Sequence, residues 1–302
     1  MSDPIYLKTI TQAHQVMGLP APKHPLISVF YHTDPNLEPT TGEVKFGMDL
    51  YMIGMKDGIR GTSGYGRSAY DFQEGTMIFV QPNQILVPGE VDMAPDSKGW
   101  TILFHPDLIR SYPLGQDIGQ YSFFAYESNE ALHLSNDEKN ALSELVHKIE
   151  KEYNQNIDKH TEELIVINLA SILKYCKRYY DRQFYTRTNL NKDYTVKFEQ
   201  YLKSYFDSEE HLIRGLPTVS QCGEALNMSG HYLSDLLKIE TGKGVLEHIH
   251  LFVIEKAKTA LLNSPKTVRE IAYELGFEYS QNFSRLFKAK TGMSPRQYRT
   301  DN

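Results

Sequence analysis

The chain has 302 residues, 40% of them apolar and 23% charged, with a formal net charge of −6. That length is enough for two domains with separate cores, and the composition is that of an ordinary globular protein. The acidic balance excludes a histone-like binder held to nucleic acid by charge alone, but not DNA binding by one segment, so charge must be counted per segment.

Two cysteines, Cys176 and Cys222, lie far apart with no CxxC motif or Cys/His cluster, and read as reduced thiols of a cytoplasmic protein. The start, "MSDPIYLKTI", lacks the pattern of a secretory signal. The nearest approach to a membrane span, "LIVINLASIL" (164–173), is about half the required length, so no membrane association is expected.

The first 134 residues read as β-rich. Short β-branched and aromatic runs, "LISVFYH" (26–32), "VKFGMDLYMIGM" (44–55), "RSAYDF" (67–72), "GTMIFV" (75–80) and "GWTILF" (99–104), alternate with turn signals such as "PTTGE", "KDG" and "QPNQ". This spacing predicts a small β-barrel or jelly roll. Tyr31, Tyr51 and Tyr70 lie in these runs and are weak candidates for lining an effector pocket; ordinary core or rim positions are the better reading of each.

From residue 135 the texture becomes helical. "SNDEKNALSELVHKIEKEYNQN" (135–156) opens on cap residues. "TEELIVINLASILKYCKRYYDRQF" (161–184) carries a stripe of Leu164, Ile165, Ile167, Leu169, Ile172 and Leu173, too wide for a simple surface helix. It reads as a lid or a dimer seam, so 135–184 is a helical dimerisation/lid segment. "YTRTNLNKD" (185–193) is polar and aperiodic, which places an inter-domain linker at 185–192.

The remainder, 193–302, is an all-α domain with an internal repeat. "YLSDLLKIETG" (232–242) aligns with "NFSRLFKAKTG" (282–292) at an offset of 50, and "TVSQCGEAL" (218–226) with "TVREIAYEL" (267–275) at an offset of 49. Each copy reads as helix, tight turn, helix, over about 218–242 and 267–291, with one more turn residue in the second. Phe283, Leu286 and Phe287 form the inner face of the last repeated helix. Ser280, Gln281, Asn282, Ser284, Arg285 and Lys288 are left to face outward. Gln and Arg suit the edges of adenine and guanine, and Lys288 suits a phosphate. His231, Ser234, Asp235 and Lys238 are the corresponding candidates in the first copy. "GVLEHIHLFVIEKAKTALLNS" (244–264) reads as one long helix between the copies. About nineteen residues span roughly 28 Å, near the roughly 34 Å between successive major-groove faces.

These motifs, with "EKAKTALL", "TVREIAYELGF", "FSRLFKAKTGMSP" and the closing "RQYR", resemble the DNA-binding domain of AraC/XylS-family transcriptional regulators. The resemblance implies seven helices, two helix-turn-helix units, and a cupin-like sensor and dimerisation domain over 1–134. The expected fold is therefore α+β, a cupin-like β-barrel or jelly roll followed by helices and then the all-α domain. The expected partners are double-stranded DNA, a second copy of the chain, a small-molecule effector and RNA polymerase. Two positions depart from the family pattern. Asp235 stands where Arg285 stands in the second copy, and Val253 replaces a frequent arginine, so a region expected to face DNA loses positive charge. Residues 216–243 carry two lysines against three acidic residues, and 264–300 carry seven Lys/Arg against three, nets of −1 and +4. Phosphate affinity is expected to come mostly from the second copy.

His248 and His250 would project about 200° apart on a helix and cannot chelate one metal. His32 and His105 are isolated, and no metal-dependent cupin pattern, phosphate loop or catalytic triad is visible. No cofactor, metal or catalytic residue is assigned. The rival readings are a cupin-like enzyme with an accessory DNA-binding tail and a dimeric regulator that needs no effector.

Overall fold

Turn residues cut the N-terminal part into strands of two to six residues, and among the described residues four helices longer than eighteen residues follow. The computed structural model describes residues 5–35, 37, 45–57, 59–60, 75–86, 92–93, 98–126, 130–186 and 188–301. Chain contacts divide these into two units that meet between Gln183 and Phe184. In the first unit the order is β1 (Ile5–Leu7), α1 (Ile10–Val16), β2 (Ile27–Tyr31), β3 (Phe46–Met48), β4 (Tyr51–Lys56), β5 (Ile59–Arg60), β6 (Thr76–Val80), β7 (Ile85–Leu86), β8 (Asp92–Met93), β9 (Trp100–Phe104), α2 (Pro106–Arg110), α3 (Pro113–Asp117), β10 (Leu132–His133), α4 (Asn136–Asn154) and α5 (Thr161–Thr186).

Of the expected small β-barrel or jelly roll the described residues show a mixed helix and sheet unit and no closed barrel. Among the described residues the strands form three separate sheets, ordered β1-β3-β7, β10-β6-β4-β9-β2 and β5-β8. The run 44–55 is two strands in two different sheets, because Asp49 turns the chain and donates its N–H to Leu7 O at 3.0 Å. The strand expected at 67–72, and Tyr70 with it, lies outside the described residues.

The five-stranded sheet has two chemically different faces. On one, Phe30, Leu103 and Val80 pack with Leu7, Ile10, Phe46, Met48 and Leu50. Farther along that face the register pairs Gly54 with Thr101 and Lys56 with Thr76, and His32 Nε2 shares a 2.9 Å hydrogen bond with Thr101 Oγ1. His32 Nδ1 and Thr76 Oγ1 are buried there with no hydrogen-bond partner among the described residues. A Cβ at Gly99 would strike the His32 ring, so this glycine makes the room the ring occupies. Burial lowers the Lys56 pKa, and burial, helped by the Lys56 charge, holds His32 down to about 4.

The opposite face meets the helices. Trp100 Nε1 donates to Ser143 Oγ at 3.1 Å, and Val29 N–H donates to the Tyr153 hydroxyl at 3.2 Å. α4 starts with the capping box its sequence announces, Ser135 with Glu138. α5 buries Ile165, Leu169, Ile172 and Leu173, but Leu164 and Ile167 point outward, 41% and 53% exposed.

The second unit contains α6 (Thr188–Asp207), α7 (Glu210–Arg214), α8 (Val219–Ala225), α9 (Gly230–Thr241), α10 (Val245–Asn263), α11 (Val268–Glu274), α12 (Ser280–Thr291) and α13 (Pro295–Asp301). Residues 188–192, which read as aperiodic in the sequence, are helical. The short α7 is one helix more than the family resemblance implies. It lies between Glu209, at a left-handed φ of 61°, and Gly215, at 76°. α10 is not a solvent-spanning rod. Val245, Ile249, Val253, Ile254, Ala257 and Leu261 are all buried, so it is the central core helix of this unit. Among the described residues no helix is long and apolar enough to cross a membrane.

Candidate nucleic-acid interface

The repeat read from the sequence is reproduced bond by bond. Thr218 and Thr267 each cap a helix with a capping box, with Gln221 and Glu270 respectively. Glu270, accepting from the Thr267 N–H and hydroxyl, is held below the usual carboxylate range. At the turn, Met228 N–H donates to Gly223 O and Phe277 N–H to Ala272 O, both at 3.0 Å. The left-handed position of the turn is filled by Asn227, φ 59°, in the first pair and Gly276, φ 85°, in the second, the residue types that tolerate it. Four residues separate α8 from α9 and five separate α11 from α12, the extra turn residue the alignment predicts.

The second helices end alike as well. Gly242 and Gly292 adopt left-handed φ and donate to Lys238 O and Lys288 O at 2.9 Å. Thr241 Oγ1 donates to Leu237 O at 2.7 Å, and Thr291 Oγ1 to Phe287 O at 2.8 Å.

Packing inside each pair is close. Cys222 and Ile271 are fully buried at equivalent places, and burial pushes the Cys222 thiol up to about 12. Both cysteines are free thiols. In α12, Phe283 and Phe287 are fully buried with ring centroids 5.8 Å apart, and Phe277 stands edge-on to Phe283 at 5.4 Å. Leu286, expected inside with them, is only half-buried.

The outward residues follow the same helical logic. Gln281, Asn282, Arg285 and Lys288 are exposed and Ser280 and Ser284 half-buried. Arg285 Nη2 donates to Asn282 Oδ1 at 3.1 Å, which preorganises the guanidinium beside the amide. In α9, His231 and Lys238 are exposed, and Ser234 and Asp235 are half-buried. Ser234 turns back into the fold. Its Oγ accepts from Val245 N–H at 3.4 Å, and a Cβ on Gly244 would stand 2.6 Å from that oxygen.

Several charges that a sequence count offers to DNA are engaged within the unit. Lys290 Nζ lies 2.6 Å from both Glu247 oxygens, Lys266 pairs with Glu274 at 2.5 Å, and Arg299 Nε donates to Leu261 O at 2.9 Å. Lys290 holds Glu247 below the usual carboxylate range. The net of +4 in the second copy therefore overstates the cation available to a phosphate. Val253 is fully buried, so it does not face DNA and its substitution removes no charge from such a face. His248 Nε2 shares a 2.7 Å hydrogen bond with Thr241 Oγ1, the packing role its helical phase suggests.

The effector candidates are placed differently. Tyr31 is on the helix-facing side of the sheet, with its hydroxyl 2.9 Å from His147 Nδ1 and donating to Glu150 Oε2 at 3.0 Å. Tyr51 stacks on Phe104 at 5.0 Å and meets Phe124 edge-on at 5.3 Å. Among the described residues no group of three or more His, Cys, Asp or Glu could hold a metal.

Comparison with known proteins agrees with this geometry. A helix-turn-helix domain family matches residues 222–301. The HTH-type transcriptional regulator YijO of Escherichia coli K12 is 28% identical over 233 residues, covering 75% of this chain and 78% of that protein. An HTH-type transcriptional regulator of Staphylococcus aureus, SAS0078, is 29% identical over 146 residues, 48% of this chain but only 18% of its own length. The C-terminal domain of AraT, a response regulator from Geobacillus stearothermophilus, is 30% identical over 36% of this chain and 85% of that one, with a TM-score of 0.32. Residues 222–301 therefore belong to the AraC-type helix-turn-helix domains, and the chain is a DNA-binding transcriptional regulator.

Proposed function

We propose that α8/α9 and α11/α12 are two helix-turn-helix units that read neighbouring major-groove segments, with α9 and α12 as the recognition helices. The observation that carries this is α12 itself, where two fully buried phenylalanines anchor a helix whose other side presents Gln281, Asn282, Arg285 and Lys288. Arg285 and Gln281 suit base edges and Lys288 a phosphate. In α9, His231 and Asp235 are the base-reading candidates, Asp235 accepting from a cytosine amino group, and Lys238 contacts the backbone. Hydroxyl-radical footprinting of the bound duplex tests this. Two protected segments about one helical turn apart on one side are expected. Protection of a single segment would contradict it.

The first unit is read as a cupin-like sensor and dimerisation domain of a cytoplasmic protein. Support for sensing comes from the polar end of the sheet face, where His32, Thr101, Lys56 and Thr76 gather and two buried polar atoms have no hydrogen-bond partner among the described residues. Such atoms are costly to bury unless something completes their hydrogen bonds. That cluster, rather than the weak candidates Tyr31 and Tyr51, is the effector site this reading prefers. Support for a homodimer comes from the outward side of α5, where Leu164, Ile167 and Tyr175 are 41%, 53% and 40% exposed at spacings of three and eight. An effector then biases which DNA sites the dimer occupies and how it meets RNA polymerase. Thermal shift against a metabolite library, repeated on Lys56→Met, tests the sensor. Equal shifts in both proteins would place the effector elsewhere.

A further inference from the structure

A long central helix suggests two recognition helices hung at its opposite ends. The contacts describe something else. The first turn of α10 is held by both. From α9, Ser234 Oγ accepts Val245 N–H and Thr241 Oγ1 shares a hydrogen bond with His248 Nε2. From α12, Lys290 in the last turn reaches back 43 positions to both oxygens of Glu247. The C-terminal ends of α9, at Thr241, and of α12, at Lys290, thus converge on residues 244–248, and Gln281, beyond the packed Phe283, is at the far end of a lever.

The lever has a useful length. Lys290 lies nine positions after Gln281, roughly 14 Å along a helix, so a tilt of about 15° at the Lys290 end moves Gln281 by roughly 3.5 Å, the rise of one base pair. Phe283 and Phe287 fix how deeply α12 sits, but an apolar contact is non-directional and holds its direction less strictly. A polar tie at the far end supplies what the core lacks. The Lys290 and Glu247 side chains are 25% and 36% exposed, so the pair contributes little to stability, and its consequence is directional.

We propose that Glu247, through Lys290, is a positioning residue that sets the spacing between the two base segments one DNA-binding unit accepts. This rests on the reading of α9 and α12 as the base-reading helices.

The test is a duplex library in which the two halves of the wild-type site are separated by every spacing within about three base pairs of the native one. The full-length wild type, Glu247→Gln, Lys290→Met and the exchanged double variant Glu247→Lys/Lys290→Glu select from it. Each single variant is expected to raise recovery of spacings one base pair from native by about tenfold, with the base preferences inside each half unchanged, and the double variant to restore the wild-type distribution. Circular dichroism identifies a single variant that fails to fold, and the double variant then decides: native spacing supports the proposal and broadened spacing overturns it. Folded single variants that keep the native spacing overturn it as well, whatever happens to their overall affinity. A wild type that selects no two-part site defeats the underlying reading of α9 and α12, a different result from a two-part site whose spacing ignores Glu247.

Discussion

Gly223 and Gly230 meet across the first helix pair so closely that a Cβ on Gly223 would lie 2.5 Å from Gly230 N, and a Cβ on Gly230 would lie 2.5 Å from Val219 O. Both obstacles are backbone atoms, which no rotamer change can relieve. At the equivalent place of the second pair the chain carries the larger Ala272, fully buried. The first pair thus leaves no room for a Cβ at the place where the second pair holds one.

Gly223→Ala should destabilise the second unit by about 1–3 kcal/mol through overpacking, although alanine is the better helix former. Ala272→Gly should cost only about 1 kcal/mol. The chain has one tryptophan, Trp100, in the first unit. Urea unfolding should therefore show early loss of helical circular dichroism for Gly223→Ala while the Trp100 emission midpoint stays put.

Ser234→Ala separates scaffold from recognition. The serine accepts from Val245 N–H at the start of α10, so its loss should cost about 1 kcal/mol of stability and leave the selected DNA sequence unchanged. A changed base preference at one position would return Ser234 to the reading surface.

Lys288→Ala should weaken all DNA sequences alike. Removal of one phosphate contact lowers the slope of log affinity against log salt by about 0.9. Fluorescence anisotropy at several salt concentrations, on a selected and a scrambled duplex, reads this directly.

Acid should weaken the first unit through His32. Its pKa is about 4 in the fold against 6.5 unfolded, chiefly because burial disfavours the charged ring. Between those values the unfolded chain binds the extra proton, so stability falls as pH drops through that window, by up to about 3 kcal/mol. Trp100 emission in urea should show this loss in the wild type, and His32→Gln should lack that share of it. Parallel pH profiles for the two proteins would contradict the assignment.

What the sequence discloses and what it hides differ by range. Caps, turns and the buried stripe of α12 are local, so Thr218, Thr267, Gly276, Phe283 and Phe287 declare themselves by type and spacing. The repeat is legible because both copies solve the same local problem. Lys290 and Glu247 are 43 residues apart and each looks like an ordinary surface charge. Ser234 sits at a helical phase that suits DNA, and only the approach of Gly244 draws it inward. Val253 is hidden by tertiary context, because α10 is covered by neighbours on more than one side. In the first unit, periodicity locates strands but not sheets: the continuous run through Phe46 and Tyr51 gives no sign that its halves pair with different neighbours. Tyr31 is a weak pocket candidate on residue type alone, and strand alternation relative to Phe30 turns it towards α4, one of the ordinary positions the sequence also allows.

Selection of bound sequences from random duplex DNA, carried out with the wild type and with Arg285→Ala, tests most directly whether α12 reads bases. The account predicts a two-part motif for the wild type, and for Arg285→Ala the loss of preference at one or two positions of one part, worth about 1–3 kcal/mol, with the other part intact. An identical motif from both proteins, or an even loss across the whole site, would contradict it.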